Sequence, residues 1–162
     1  MINKSRKLLW TVLLAMLGTT VLARPLIYDP QANPREDLAT AATRAAQDGK
    51  LILVVFGADW CPDCRVLDYH FKQDGLRSVI DANFHVVKVD VGEKDKNLDF
   101  VAEFGNPIAK GIPAIAILDA GLSIQYVSNA GEFANARSAK TDSLKTWFQS
   151  VVQKIRQNPG NE

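Results

Sequence analysis

The stretch LILVVFGADWCPDC occupies residues 51–64 and joins a continuous apolar run to two cysteines that are separated by two residues. The run from 51 to 56 is short and rich in β-branched residues, which is typical of a β-strand buried on both faces. Pro62 suits the first turn of a helix, because its missing N–H would have no partner there. The stretch therefore predicts a strand that leads directly into a helix beginning at the cysteine pair.

Cys61 lies at the predicted N-terminus of this helix, where unpaired backbone N–H groups and the helix dipole favour an anion. A cysteine in this position is expected to ionise readily and to act as a nucleophile. Cys64 lies one turn further along on the same side, close enough to form a disulfide but less exposed. The pattern predicts a redox-active pair, with Cys61 as the attacking thiolate and Cys64 as the resolving thiol.

Other interpretations of the pair are weaker but stay open. A structural disulfide would close a very small loop and remove little entropy from the unfolded chain. A zinc site would need two further ligands, and the chain offers only His70, His85 and carboxylates, without a second cysteine pair. Haem attachment would need a histidine after Cys64, where the sequence has Arg65. We expect neither a metal nor a cofactor at this site.

Strands and helices alternate on both sides of the stretch, which predicts an α/β fold with a central mixed β-sheet and helices on both faces. Asn33, Pro34 and Glu36 form a capped helix start. Residues 129–140 are expected to form a loop or a short helical excursion. The remaining predicted helices are 34–48, 76–82, 97–104 and one from 141 or 142 onward, and the remaining strands are 84–91, 114–118 and 123–128.

The N-terminal segment has the three-part pattern of a secretory signal peptide, with early basic residues, an apolar run and small residues before Arg24. The apolar part is shorter than the roughly 20 residues that span a bilayer, so cleavage after Ala23 is favoured over a retained anchor. We therefore predict a signal peptide over 1–23, an N-terminal arm or edge segment over 24–34, one domain over 35–157 and a tail over 158–162.

Composition limits the possible partners. The 162 residues are 47% apolar, and 19 basic side chains face 18 acidic ones, so no charge surplus points to nucleic acid. Two cysteines are too few for a disulfide-stapled scaffold. We predict an exported, periplasmic protein that contacts neither nucleic acid nor, after loss of the signal, the membrane.

The block VVFGADWCPDC and the tripeptide GIP at 111–113 resemble the two hallmark motifs of the thioredoxin superfamily. Lys88 in VVKVDV matches the basic residue on that family's following strand, and the resemblance covers about residues 35–156. It implies a thioredoxin-like fold, a redox-active disulfide between Cys61 and Cys64, and a cis proline at Pro113 that faces this disulfide. The residues that the resemblance places against substrate are Trp60, Pro62, Asp63, Ile112 and Pro113.

The sequence departs from the family pattern at Val55, where thioredoxin carries a buried acid that assists the resolving thiol. The proton acceptor is then expected to be Asp59, Asp63 or water. Asp63 is also expected to compete with the Cys61 thiolate for the first-turn N–H groups, which favours reducing or isomerising work over oxidation. Ile112 points the same way, since thioredoxin has an isoleucine there.

The predicted function is that of an exported thiol–disulfide oxidoreductase, which reduces or isomerises protein disulfides through a mixed disulfide. Its partners would be protein thiols and disulfides and an upstream redox protein. The alternative is a dedicated electron relay or binding partner of one periplasmic redox system. A non-catalytic, chaperone-like domain is a weaker third interpretation.

Overall fold

The computed structural model describes residues 25–157, and the predicted signal peptide and C-terminal tail lie outside these residues. Five α-helices and four β-strands alternate along this part of the chain. In chain order they are α1 Pro34–Asp48, β1 Leu51–Gly57, α2 Pro62–Phe71, α3 Leu76–Asn83, β2 Phe84–Asp90, α4 Leu98–Ala102, β3 Ala114–Leu118, β4 Ile124–Val127 and α5 Thr141–Gln157. Short 3₁₀ turns occur at Pro107–Lys110 and Ala136–Ser138. The predicted α/β class is confirmed.

The four strands form one mixed sheet in the order β2-β1-β3-β4. Strand β1 runs parallel to β2 and antiparallel to β3, and β4 closes an antiparallel hairpin with β3. All seven residues of β1 are buried, as its continuous apolar run predicts. The strand that leads to the cysteine pair is therefore a rigid central element of the sheet.

Helices cover both faces of the sheet. Leu51 pairs with Phe84 in the β1–β2 register, and Phe84 packs on Phe148 of α5 with ring centroids 5.8 Å apart. Phe56 is five residues beyond Leu51 on the same strand and therefore faces the other side. Its ring packs against Phe104, just after α4, at 5.2 Å. Aromatic clusters on the two faces thus fix the helices around β1.

Local signals account for both ends of α1. The Asn33 side chain caps α1 by accepting a hydrogen bond from the Arg35 N–H at 3.1 Å, and Gly49 ends the helix in the left-handed region at φ 71°. Helix α4 is shorter than the predicted 97–104, because Asn97 takes a left-handed conformation at φ 52° and the helix ends at Ala102. Among residues 25–157, no helix is long and apolar enough to cross a membrane.

The N-terminal arm packs onto the domain as irregular chain up to the start of α1. Tyr28, in the middle of the arm, is only 2% exposed and belongs to the hydrophobic core. A buried tyrosine usually needs a partner for its hydroxyl, and the partner of Tyr28 lies at the cysteine pair.

Candidate active site

Cys61 and Cys64 meet at the start of α2 as two free thiols. Cys61 is the N-cap residue, and its Sγ accepts a hydrogen bond from the Cys64 backbone N–H at 3.2 Å. Pro62 occupies the first helical turn, as predicted from its missing N–H. Cys61 is 3% exposed and Cys64 is fully buried. Both cysteines are therefore buried, and the difference in exposure expected between them is small.

The loop before β3 closes over Cys61 from the other side. The peptide bond between Ile112 and Pro113 is cis, as the resemblance to thioredoxins implies. The Cys61 thiol donates a hydrogen bond to the Ile112 carbonyl oxygen, with 3.5 Å between sulfur and oxygen. Cys61 and Ile112 are 51 positions apart in the sequence, and the fold brings them together at the nucleophilic sulfur.

The environment of Cys64 contains a residue that the sequence analysis did not single out. Burial raises the pKa of the Cys64 thiol well above its ordinary value, and the contact with Cys61 adds to this. The Ala58 backbone and the Tyr28 hydroxyl act in the opposite direction and lower this pKa, because donors beside the sulfur favour its charged form. Burial, and next the nearby sulfurs, raise the pKa of Tyr28 well above its usual value, so this hydroxyl stays protonated.

Gly57 leaves the space in which the Tyr28 hydroxyl and Cys64 Sγ lie close together. A Cβ at this position would lie 2.9 Å from Cys64 Sγ and would overlap the Tyr28 hydroxyl. Any side chain here would therefore displace one of them, and the strand ends on glycine where the arm approaches the sulfur.

Asp59 does not face Cys64, although it was one of the acceptors expected from the sequence. Its carboxylate accepts the backbone N–H groups of Ile27 and Tyr28 at 3.0 and 3.1 Å, and it pairs with Arg65 at 3.1 Å. The sequence could not show this use of the carboxylate, because the partners lie about thirty residues upstream. Asp59 fixes the arm and thereby places Tyr28 at Cys64.

Asp63 is also used differently from the expectation that it competes for the first-turn N–H groups of α2. It is 7% exposed, and its Oδ1 accepts from the backbone N–H and the Nε of Arg137 at 2.9 and 3.1 Å. That expectation is wrong in its geometry, because Asp63 ties the 3₁₀ turn Ala136–Ser138 to α2. The cation beside it also offsets its negative charge.

Lys88 pairs with a buried acid in α2. Its Nζ binds Asp68, which also accepts from Lys72 at 2.6 Å. Burial alone would raise the pKa of Asp68, but hydrogen bonds from Lys72 and Lys88 hold it below the ordinary value. Lys88 is therefore neutralised locally and is not available to attract a substrate anion.

Trp60 is the exposed aromatic residue of the site, with 51% of its surface accessible. Its Nε1 donates to the Gly92 carbonyl oxygen at 2.9 Å, which holds the ring beside the arm. A shallow groove runs between the ring, Leu26 and Pro30. This arrangement suits the predicted contact with a partner protein.

The two histidines lie away from the cysteine pair. His70 is buried and its Nδ1 lies 2.8 Å from Thr141 Oγ1, whereas His85 binds Asp48 on the opposite face. Within residues 25–157, no three His, Cys, Asp or Glu side chains come together as a metal site requires. Both histidines have structural roles here.

Comparisons with known proteins agree with this fold. A family profile described as Thioredoxin-like matches residues 33–120, and the chain belongs to this family. The structure of a disulphide isomerase from Xylella fastidiosa Temecula1 is 35% identical, with 80% of this chain and 98% of that chain covered and a TM-score of 0.77.

More distant structures share the fold alone. The oxidised C-terminal domain of Neisseria meningitidis DsbD is 19% identical over 74% of this chain and 96% of that chain, with a TM-score of 0.55. A DsbH oxidoreductase is 18% identical over 83% and 89%, at 0.54. No curated protein sequence matches the chain as a relative. The family and the cysteine pair together support thiol–disulfide oxidoreductase chemistry as the class of activity.

Proposed function

We propose that this protein is an exported thiol–disulfide oxidoreductase that reduces or isomerises disulfides in other proteins. The observation that carries the proposal is the setting of Cys61, which caps α2 and lies 3.5 Å from the Ile112 carbonyl oxygen. A sulfur between a helix N-terminus and an extended backbone segment suits attack on a disulfide held beside that segment. The 35% identical disulphide isomerase supports the same class of substrate.

The chemistry begins with the Cys61 thiolate, which attacks one sulfur of a substrate disulfide. A Cys61–substrate bond forms, and the other substrate sulfur leaves as a thiolate that takes up a proton. Cys64, after losing its proton to solvent, then attacks Cys61 Sγ and releases the second substrate thiolate. The substrate disulfide is reduced and the Cys61–Cys64 pair is oxidised; in isomerisation, a substrate thiol resolves the intermediate and the pair stays reduced.

The neighbouring residues take separate roles in this proposal. Trp60 offers an exposed aromatic face to the partner protein, and Ile112 and Pro113 present backbone beside the nucleophile. Pro62 sets the first turn of α2. Asp63 contributes by holding the segment around Arg137 rather than by touching the substrate.

The proposed location is the periplasm, on the basis of the signal-peptide pattern of residues 1–23. Two lone cysteines in an exported protein meet oxidants, so a reducing or isomerising enzyme there needs an upstream redox protein that returns the pair to thiols. Because the charge of Asp63 is paired, it no longer indicates the direction of the redox reaction. Ile112 and the similarity to a disulphide isomerase are then what supports reduction or isomerisation over oxidation.

Trapping of mixed disulfides tests the proposal. The Cys64→Ser variant is expected to accumulate Cys61-linked adducts with several periplasmic proteins, and the Cys61→Ser variant is the matched control that should capture few. Insulin reduction by the wild type should accompany this result. Adducts with one partner only, without insulin reduction, would support the dedicated relay instead, and absence of adducts in both variants would remove the enzymatic proposal.

The reduction potential of the Cys61–Cys64 pair distinguishes a reductase from an isomerase. A value near that of thioredoxin, about −270 mV, would mark a reductant, and one near −180 mV would resemble protein disulfide isomerase. A value near −120 mV, like that of a strong oxidant, would contradict the proposed direction.

A further inference from the structure

The two acids that the sequence offered as proton acceptors for the resolving sulfur are engaged elsewhere. Cys64 is fully buried, and Val55 occupies the strand position from which an acid could reach it. Asp59 is engaged by the arm and Asp63 by Arg137. A thiol in such a place is hard to ionise, because burial disfavours the charged form.

The Tyr28 hydroxyl is the polar side-chain group that reaches this sulfur. A Cβ at Gly57 would lie 2.3 Å from the Tyr28 hydroxyl oxygen and 2.9 Å from Cys64 Sγ, so the hydroxyl and the sulfur border the same small space, and a donor placed there favours the charged form of the thiol. The hydroxyl cannot drift away, since Asp59 holds the backbone N–H groups of Ile27 and Tyr28. Its ring is 2% exposed and is packed in the core.

We propose that the Tyr28 hydroxyl stabilises the Cys64 thiolate during resolution of the mixed disulfide, together with the Ala58 backbone, and is thus a catalytic residue supplied by the N-terminal arm. The proposal rests on the proposed function, because it concerns the second step of that reaction. Of the proton acceptors expected from the sequence, Asp59, Asp63 or water, the proposal uses water, and Tyr28 stabilises the anion that remains.

The step balances without a proton transfer to tyrosine. The Cys64 thiol loses its proton to solvent, and its electron pair then forms the bond to Cys61 Sγ. The bond between Cys61 and the bound thiol breaks, and that thiol leaves with the electron pair and is protonated by solvent. Tyr28 keeps its proton throughout. By donating a hydrogen bond to the anion, it lowers the free energy of the Cys64 thiolate relative to the thiol.

Other charged groups near the pocket come from α2 and β2. Asp68 and Cys61 act on the Tyr28 hydroxyl through their charge, Lys88 neutralises Asp68, and Arg65 neutralises Asp59. Because the two carboxylates are paired with cations, the groups left to offset the effect of burial on the Cys64 thiol are the Ala58 backbone and the Tyr28 hydroxyl.

The test uses the reduced protein and 5,5′-dithiobis(2-nitrobenzoate) in a stopped-flow instrument. Attack by Cys61 releases one nitrothiobenzoate in a phase whose rate depends on reagent concentration. Attack by Cys64 on the mixed disulfide releases a second in a concentration-independent phase. Tyr28→Phe is expected to slow the second phase about tenfold, at the lower end of the effect of a hydrogen bond to a charged group, and to leave the first phase unchanged.

Two further readouts separate hydrogen bonding from packing. The pH profile of the second phase should shift upward by about one unit in Tyr28→Phe, as a tenfold loss of thiolate requires. Tyr126→Phe is the matched control, because that hydroxyl also donates to a nearby group, the Glu132 carboxylate at 3.1 Å, far from the sulfurs along the chain. It should change neither phase. If Tyr28→Phe does not fold, 3-fluorotyrosine at position 28 keeps the shape, and its more acidic hydroxyl should speed the second phase.

The outcomes are distinct. A second phase within twofold of wild type in Tyr28→Phe overturns the proposal, as does a faster one, which would mean that the hydroxyl only fills space. Equal slowing of both phases would indicate general loosening and would also overturn it. Absence of the second phase in the wild type would instead remove Cys64 from the reaction and contradict the proposed function itself.

Discussion

The Asp63→Ala substitution is expected to lower the free energy of unfolding by about 2–3 kcal/mol. The carboxylate is 7% exposed and accepts from the Arg137 backbone N–H at 2.9 Å and from its Nε at 3.1 Å. A hydrogen bond from an N–H to a charged acceptor contributes about 1.5–3 kcal/mol. The Arg137 side chain is 59% exposed, so its ionic contact adds only about 0–1 kcal/mol. Most of the loss should therefore come from the backbone N–H.

Urea denaturation of three variants measures the two contributions. Arg137→Ala removes the side chain but keeps the backbone N–H, so it should cost about 0–1 kcal/mol. The double variant should be no less stable than Asp63→Ala, because both changes act on one interaction. Equal losses in the two single variants would refute this reasoning, since the exposed ion pair would then carry the stability.

The same variants test the electrostatic role of Asp63. Because Arg137 already offsets its charge, we expect the reduction potential of Asp63→Ala to stay within about 30 mV of the wild type, less than a tenfold change in the two-electron equilibrium. A glutathione redox equilibrium measures this difference. A larger shift toward oxidising values would restore the direct influence on Cys61 expected from the sequence.

Three further outcomes follow from the geometry. Gly57→Ala should cost about 1–3 kcal/mol in urea unfolding, because its Cβ would crowd Cys64 Sγ. Gly121→Ala, whose Cβ would meet only the end of the Asp119 side chain at 3.3 Å, should stay within about 0.5 kcal/mol. Lys88→Met should destabilise the protein at pH 7; because the pKa of Asp68 is lowered in the fold, this loss should begin to shrink only below about pH 4 and should disappear as pH falls through the lowered pKa. A pH-independent loss would contradict this. Trp60→Ala should lower kcat/KM for insulin but not the reaction with a small aromatic disulfide, and equal losses would assign Trp60 to the chemistry instead.

Local sequence signals were sufficient for the elements that carry the nucleophile. The apolar run 51–56 predicts a buried strand, and Pro62 predicts the helix start that makes Cys61 an N-cap. These features depend on residues that are adjacent in sequence. The GIP motif at 111–113 could be placed opposite Cys61 only through the resemblance to thioredoxins, because no local rule joins segments 51 residues apart.

Long-range use of polar side chains was not predictable. Asp59 and Asp63 have the same local appearance, two acids beside a helix start, yet one holds the arm and the other holds Arg137. Tyr28 gave no signal beyond an aromatic residue in a proline-rich arm. Only the presence of Val55, where thioredoxin carries a buried acid, indicated that some other group has to assist the ionisation of Cys64.

The group beside the resolving thiol Cys64 is supplied by the docked arm, so it can be changed by replacing the arm. The matched family region begins at residue 33, whereas Tyr28, whose hydroxyl lies beside Cys64 Sγ at Gly57, belongs to the segment before it. Replacing residues 25–32 could therefore retune the lifetime of mixed disulfides without altering the sheet, the dithiol helix or the proline loop. A longer-lived intermediate would give a substrate thiol more time to resolve it, so the choice between net reduction and reshuffling could be engineered from outside the dithiol motif.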